Sequence, residues 1–236
     1  MSWIRVKLPV ALLIVGLASY VVFLEVEASS VSDEQINASA VWNPQAGDLA
    51  QISQACQAAQ GEAYSRCFVA QMPNYGASAD AVAFTQSYAD SSQGMVAFLQ
   101  DFRAVDAVDL GYALLPTAAN SNQRWLLLNG TPSVIDVDDL KLLPQAEMMR
   151  DPVYVAILKR YPKVTLFGGD RNLDTIPVTE TLPDASQRFA FDYPLKDQCR
   201  ACAVVGQATF SFEFDATGRL VGVKFVKVAA VSTPAK

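Results

Sequence analysis

The spacing of apolar residues divides this chain into a helical first part and a strand-rich second part. Within residues 48–104, apolar side chains recur every three or four positions, as at Ile52 and Cys56, which is the period of a helix with one buried face. Within residues 105–228 the period is mainly two, as in the alternating phenylalanines of residues 210–214, which is the period of a strand. The pattern therefore predicts helices followed by strands.

The helical part contains residues that set the ends of its helices. Asp48 is a good N-cap for a first helix, and Gly61 suits the position just after its end. A second helix follows and stops before Pro73, and Ser78 caps a third. Residues 94–102 carry apolar side chains at helical spacing and are predicted to form a fourth helix.

Turn residues separate the strands of the second part. Asn129 and Gly130 lie between two apolar runs and are a strong hairpin signal, because both residues tolerate positive φ. Asp151 followed by Pro152 starts one helix within this part. The predicted strands are 108–114, 124–128, 131–137, 163–167, 187–193, 204–214 and 219–228.

These elements predict an α+β fold, with an antiparallel sheet of about five or six strands and helices packed on one face. We expect one globular domain over residues 48–228, with a helical part (48–104), a mainly β part (105–228) and a flexible tail (229–236). The covered face of the sheet is predicted to carry Phe189, Phe191, Phe210, Phe212, Phe214, Val221, Val223 and Phe225.

The N-terminal residues predict export. Residues 8–24 form an uncharged apolar run preceded by Arg5 and Lys7, and this order of charges directs the rest of the chain out of the cytoplasm. The run has a length between that of a signal-peptide core and that of a membrane span, so residues 1–28 are either a signal-anchor helix or a cleaved signal peptide. Residues 29–47 are small and polar, and are predicted to be a tether. We expect the domain in a bacterial periplasm, held at the inner membrane or soluble after cleavage.

The four cysteines agree with export, because an even number of cysteines in an exported chain favours disulfides. We favour the two local pairs, Cys56–Cys67 and Cys199–Cys202, over the other pairings. A zinc site formed by all four cysteines is the alternative, although the chain has only one C-x-x-C motif. The cysteines therefore indicate the compartment more than a reaction.

Composition excludes several classes of chemistry. The chain contains no histidine, which removes Ser-His-Asp and Cys-His catalysis, histidine-ligated metals and covalent haem attachment. The formal net charge is −6, so a basic surface for nucleic acid is not expected. No cofactor is predicted, and a binding protein is favoured over an enzyme.

Two loops contain residues that could carry chemistry. Asp136, Asp138 and Asp139 could hold Ca²⁺ or Mg²⁺, but the glycine of an EF-hand loop is missing, and a solvated strand end is the simpler interpretation. The glycine-rich loop 168–172 could cradle a phosphate only if a helix followed, and the residues after it are β-branched. Arg171 is predicted to form surface contacts with neighbouring aspartates.

Three functional hypotheses follow. The first is a tethered, non-enzymatic envelope protein that binds another envelope protein or a peptide, which requires an exposed apolar patch or an open strand edge on the domain. The second is a periplasmic thiol–disulfide redox protein that uses Cys199 and Cys202, although the strand predicted after this pair provides no helix dipole to activate a thiolate. The third is a carboxylate-based hydrolase. Its two acids would come from Asp136, Asp138, Asp139, Asp170 and Asp174.

Overall fold

The computed structural model describes residues 35–117, 122–169 and 171–231, which belong to one compact unit that begins at Gln35. These residues form an α+β domain with two antiparallel sheets, which confirms the predicted fold class. The predicted N-terminal helix and its membrane span at residues 8–24 lie outside the described residues. Within the residues that are described, no helix has the length and apolar character needed to cross a membrane.

Three helices open the domain, as their apolar periods predict. They are α1 (Asp48–Ala55), α2 (Glu62–Gln71) and α3 (Ala79–Ser91). Two predicted end residues are wrong, because Gly47 and not Asp48 is the N-cap of the first helix, and Gly61 is the N-cap of the second. Ser78 caps α3, since its hydroxyl oxygen accepts a hydrogen bond from the Ala81 amide at 3.0 Å. Two shorter helices follow later in the chain, α4 (Gln145–Met148) and α5 (Pro152–Arg160), and Asp151 caps α5 as predicted.

The fourth predicted helix is wrong, because its residues contribute to a strand, β1 (Phe98–Arg103). The adjacent side chains Phe98 and Leu99 are both fully buried, and they belong to two different apolar clusters. A strand whose two faces are both buried has no alternation of apolar and polar residues. Its apolar positions therefore match a helical period without forming a helix.

The structure has two sheets where one is predicted. The remaining strands are β2 (Asp109–Leu114), β3 (Gln123–Leu128), β4 (Val134–Asp136), β5 (Val164–Leu166), β6 (Val178–Thr181), β7 (Gln187–Asp197), β8 (Val204–Phe214) and β9 (Leu220–Ala230). The first sheet has the order β1-β2-β3-β4. The second has the order β5-β7-β8-β9, and the short β6 also pairs with β7.

Both faces of the first sheet are buried, and the second sheet covers one of them. On one face, Leu126 packs in a cluster with Phe84 of α3. On the other face, Trp125 belongs to the same cluster as Phe191 of the second sheet. The single-sheet prediction is wrong because it assumed one buried face. The helices cover one side of the first sheet, and the second sheet covers its other side.

Aromatic pairs fill the inner face of the second sheet. Phe191 on β7 pairs in register with Phe210 on β8 and lies diagonally across from Phe212, with the Phe191 and Phe212 ring centroids 5.7 Å apart in an edge-to-face arrangement. All five phenylalanines predicted on β7 and β8 are buried. The prediction is wrong for Val221, which is 67% exposed, because it is the extra residue of a β-bulge between Leu220 and Gly222.

Part of the stretch predicted as a tether is packed on the domain. Residues Ala38–Ala40 form a 3₁₀ turn, and both Ala40 and Trp42 are buried. The Asn129 side chain donates to the Ile36 carbonyl at 2.7 Å and accepts from the Ile36 amide at 2.8 Å. The chain is therefore fixed to the turn between β3 and β4 from Ile36 onward.

Candidate functional site

Asp136, the first of the candidate carboxylates, lies at the end of β4 and binds an arginine. It forms an ion pair with Arg124 of the neighbouring strand β3. Burial raises the pKa of Asp136, and the charge of Arg124 offsets part of that increase. Asp136 is therefore engaged as the partner of a guanidinium group.

Asp138 forms a second ion pair, with Arg171, and this pair is buried. Asp138 Oδ1 lies 2.9 Å from Arg171 Nη2, and the side chains of Arg171 and Asp138 are 7% and 6% exposed. The same Oδ1 atom accepts a hydrogen bond from the Gly169 amide at 3.1 Å. The predicted surface contacts of Arg171 are wrong, because its guanidinium group turns into the domain.

The guanidinium group of Arg171 is enclosed by the second sheet. Its Nη1 donates to the Asp192 carbonyl at 2.9 Å. Its Cζ lies 4.8 Å from the ring centroid of Tyr193 and 5.4 Å from that of Phe191, within the range of cation–π attraction. A side chain at Gly169 would overlap the guanidinium group, so the glycine permits this close approach.

Of the remaining candidate acids, the two that the structure describes do not join these two ion pairs. Asp139 is exposed, and its Oδ1 accepts a hydrogen bond from the Lys141 amide at 3.1 Å. Asp174 is exposed as well, and Asp170 lies outside the described residues. In the described ranges, no group of three cysteine or acidic side chains is arranged to hold a metal ion. The metal-binding and hydrolase hypotheses therefore gain no geometric support.

A depression of about 170 Å³ lies between α2 and α3, and its lining includes none of the candidate acids. Its lining residues are Glu62, Ser65, Arg66, Gln86, Ala89 and Asp90. The polar groups bind one another: Arg66 lies 3.7 Å from Glu62, and Gln86 donates to Asp90 at 2.7 Å. These groups do not converge on a common point where a substrate would react.

The cysteines form two local pairs. The Cα atoms are 5.7 Å apart in Cys56–Cys67 and 5.1 Å apart in Cys199–Cys202. The first pair joins the end of α1 to α2, and the second closes the turn between β7 and β8. Two disulfides are compatible with a periplasmic or extracellular location.

The Cys199–Cys202 turn has no helix N-terminus that would activate a thiolate. The Cys202 amide donates to the Cys199 carbonyl at 3.0 Å, and strand β8 begins at Val204. A helix dipole that would stabilise a thiolate is therefore missing from this motif. The Lys196 ammonium group donates to the Arg200 carbonyl at 2.7 Å. The geometry suits a brace between two strands.

Strand β9 forms an open edge of the second sheet. Among the described residues β8 is the one strand of its sheet that pairs with it, while helices α4 and α5 also contact β9 and the amide of its first residue, Leu220, donates to the Thr131 carbonyl at 3.0 Å. Two bulges displace Val221 and Val226 from the ladder, and these side chains are 67% and 51% exposed. Toward the core, Val223 and Phe225 are only partly buried. The apolar core is therefore incomplete along this edge.

A short segment crosses the first sheet on its way to β6, and we call this segment, residues 172–177, the strap. The Thr175 amide donates to the Asn172 carbonyl at 3.2 Å and to Asn172 Oδ1 at 2.7 Å, which forms a turn. Leu173 and Ile176 are 41% and 54% exposed. Only Pro177 of the strap is buried.

Side chains from three neighbouring strands hold the strap, and we call Arg103, Tyr112 and Trp125 the platform. The contacts are Tyr112 Oη to the Arg171 carbonyl (3.0 Å), Trp125 Nε1 to the Thr175 carbonyl (3.2 Å) and Arg103 Nη2 to the Leu173 carbonyl (3.4 Å). The Tyr112 and Trp125 ring centroids are 5.0 Å apart. Burial raises the pKa of Tyr112, which keeps its hydroxyl able to donate.

The sequence alone does not predict the buried arginine, the platform or the open β9 edge. The local signal for the arginine is Gly169, two residues before it, whose glycine-rich surroundings are also typical of a turn. The platform contacts join side chains to main-chain carbonyls 50 to 70 positions away, and no local pattern marks such contacts. The bulges likewise leave no distinct signature in the alternation of β9.

Comparison of this chain with protein-family models, with curated proteins and with solved structures finds no match. A function therefore has to be inferred from the geometry of the domain itself.

Proposed function

We propose that this protein is an exported, non-enzymatic binding module that takes up an extended segment of another envelope protein along β9. The open edge of β9, beside a core that is incomplete at Val223 and Phe225, carries this proposal. Residues 8–24 would hold the module at a bacterial inner membrane, or cleavage of a signal peptide would release it into the periplasm. The two local disulfides support an oxidising compartment.

A peptide strand added to β9 would gain two kinds of contact. An edge strand presents main-chain amides and carbonyls that an extended peptide can bind. Val223 and Phe225 lie on the core side, where the Phe225 ring centroid is 5.7 Å from that of Phe210. Apolar side chains of the added strand would cover these partly buried residues. Main-chain bonds would supply affinity, and the side-chain contacts would supply selectivity.

The lysines of β9 favour an acidic partner over a second copy of this chain. Lys224 and Lys227 pair in register with Ser211 and Thr209, on the face of the sheet away from the core. Two antiparallel copies of β9 would bring lysines close to one another, which is unfavourable. Lys224 already binds Glu213, so Lys227 is the stronger determinant. The partner strand should alternate acidic residues with apolar ones.

The two bulges limit the length of the site. Between Val221 and Val226, residues 222–225 keep a regular register with β8. A regular segment of this length suits a short peptide strand. Bulges also twist an edge and discourage association with unrelated strands, so the same feature that shortens the site makes it more selective.

We expect a short acidic–apolar peptide to bind at β9. The probe is a blocked peptide of alternating glutamate and valine, and the matched control alternates lysine and valine. In NMR spectra of the full-length chain in detergent solution, the glutamate peptide should shift the amide signals of residues 222–228. The lysine peptide should bind up to about fivefold more weakly, because one cross-strand ion pair contributes at most about 1 kcal/mol.

A charge reversal tests the same site from the protein side. Lys227→Glu should weaken binding of the glutamate peptide and strengthen binding of the lysine peptide. Val178→Glu, on β6 at the opposite edge of the sheet, is the matched control and should change neither. If the glutamate peptide shifts no β9 amide signal, strand addition at β9 is wrong. Equal binding of both peptides at β9, unaffected by Lys227→Glu, would show that the partner is not selected by its acidic residues.

A further inference from the structure

Helix α5 is apolar on the face that it turns to solvent as well as on the face that it buries. Its residues 152–158 contain only proline, valine, tyrosine, alanine, isoleucine and leucine, yet Tyr154 and Ile157 are the two of them that are buried. A helix that is apolar all round is normally covered on every side. Within the part of the chain that the structure describes, the other side of α5 has no such cover.

Tyr154 and Ile157 fix the direction in which α5 faces. They lie three positions apart, so they share one side of the helix, and both belong to the core cluster of the second sheet. Ile157 Cδ1 lies so close to Gly206 on β8 that a side chain at that glycine would overlap it. Val155 and Lys159, four positions apart, lie on the opposite side of the helix and are exposed. This side therefore points away from the core.

Further exposed apolar residues accompany Val155. Val153 and Leu158 lie on the two flanks between the buried and the outer side of the helix, and both are exposed. Leu142 and Met149, on either side of the short helix α4, are exposed as well, and Met149 is 52% exposed. A concentration of exposed apolar side chains in one segment is typical of an interaction surface.

The same segment carries a concentration of positive charge. Residues 141–163 contain five basic and two acidic residues, a net charge of +3 in a chain whose net charge is −6. The basic residues are Lys141, Arg150, Lys159, Arg160 and Lys163, and all five are exposed. None of the five forms an ion pair within the described ranges. A partner that complements this segment is therefore both apolar and negatively charged.

An anionic lipid bilayer has both of these properties. Helices that lie at a membrane surface place apolar side chains among the acyl chains, and their lysines and arginines extend to the phosphate groups. In α5, Lys159 and Arg160 directly follow Leu158. The Arg160 Cζ atom lies 5.3 Å from the ring centroid of Tyr161, and tyrosine is enriched at the interface between membrane and water. A second copy of the chain fits less well, because its own segment 141–163 also carries a net charge of +3.

We propose that the outer side of α5 docks on the surface of an anionic lipid bilayer, and we call its residues Val153, Val155, Leu158, Lys159 and Arg160 the α5 face. The three apolar side chains would enter the bilayer, and the two basic side chains would bind lipid phosphates. The anchor proposed for residues 8–24 would keep the domain close to a membrane, and a domain released by cleavage would carry the same face. The α5 face is separate from the β9 edge, so docking does not depend on strand addition there.

The test is hydrogen exchange of the full-length chain, measured by mass spectrometry with and without vesicles of equal parts phosphatidylcholine and phosphatidylglycerol. The amides of residues 153–160 should exchange more slowly with these vesicles, because the docked helix is shielded from water, and vesicles of phosphatidylcholine alone should give much less protection. High salt should weaken the protection, because it screens the charges of Lys159 and Arg160. The measurement is local to α5, so it does not depend on whether residues 8–24 insert into the bilayer.

Substitutions on the α5 face separate its two contributions. Lys159→Gln with Arg160→Gln should lower the ratio of docked to free domains about 25-fold, a factor of about five for each charge removed. Val155→Asn should lower this ratio about tenfold, because it removes an apolar side chain from the bilayer. Arg66→Gln and Val178→Asn, at exposed residues of α2 and β6, are the matched controls and should leave the ratio unchanged.

Three results would overturn the proposal. If the α5 amides exchange at the same rate with and without the anionic vesicles, the bilayer does not cover α5, and a protein partner becomes the candidate. Protection that needs no lipid and increases with protein concentration would identify a second copy of the chain as the cover. Equal protection by both kinds of vesicle, unchanged in Lys159→Gln with Arg160→Gln, would show that the α5 face does not select anionic lipid.

Discussion

Replacing Asp138 with alanine is expected to lower the free energy of unfolding of the domain by about 3 to 5 kcal/mol, because it leaves the buried charge of Arg171 without its partner. The Asp192 carbonyl and the faces of Phe191 and Tyr193 would still contact the guanidinium group. None of these neighbours carries a negative charge at the contact, so they cannot compensate for the lost carboxylate. Urea denaturation measured with and without the substitution gives the difference directly.

Two further variants separate the loss of stability caused by breaking the ion pair from losses that any substitution would cause. Asp139→Ala, at the exposed neighbouring residue, should change stability by no more than about 0.5 kcal/mol. Replacing both members of the pair with apolar residues of similar size, Asp138→Leu with Arg171→Met, should cost far less than Asp138→Ala alone, because no unpaired charge remains. A loss below about 1 kcal/mol for Asp138→Ala would mean that Arg171 reaches solvent when its partner is removed.

This ion pair also shows why the sequence predicts the elements of the fold better than its site. The caps of α3 and α5 and the alternating phenylalanines of β7 and β8 are local signals, and local signals specify local structure. The pairing of Asp138 with Arg171 joins residues 33 positions apart. The sequence contains both residues, but nothing in their immediate surroundings indicates that they meet.

The number of sheets was mispredicted for a related physical reason. A strand with one buried face alternates in polarity, and β7 shows that alternation. The first sheet is covered on both faces, so β2 and β3 contain runs of buried residues without alternation. Such runs indicate that a strand is buried, but they do not indicate which elements cover each face of its sheet. The two layers around the first sheet become visible only when the tertiary contacts are known.

The proposed β9 site is consistent with a chain that has no histidine. The β9 edge would present main-chain groups to an incoming strand. This interaction requires no titrating side chain near neutral pH. Such a site would recognise the extended conformation of a partner segment first and its side chains second.

Removing the Cys56–Cys67 disulfide is expected to lower the free energy of unfolding by about 3 kcal/mol, and removing Cys199–Cys202 by about 2 kcal/mol. The difference follows from the loops that the bonds close, with sequence separations of 11 and 3 residues, because a longer loop loses more entropy on closure in the unfolded chain. Cys56 is also buried next to the end of α1. Loss of the first bond should therefore increase hydrogen exchange in α1 before it affects either sheet.

Paired Cys→Ala substitutions, compared by urea denaturation under oxidising conditions, measure the two contributions separately. Adding dithiothreitol to the unsubstituted chain should lower the free energy of unfolding by about the sum of the two losses, because it reduces both bonds. Ser65→Ala, within the same helix α2, is a control that leaves both disulfides intact. If reduction leaves the free energy of unfolding unchanged, the oxidised cysteines do not contribute to stability. The support that they give to an exported, periplasmic module would then be lost, and the β9 site would have to be considered without evidence for its compartment.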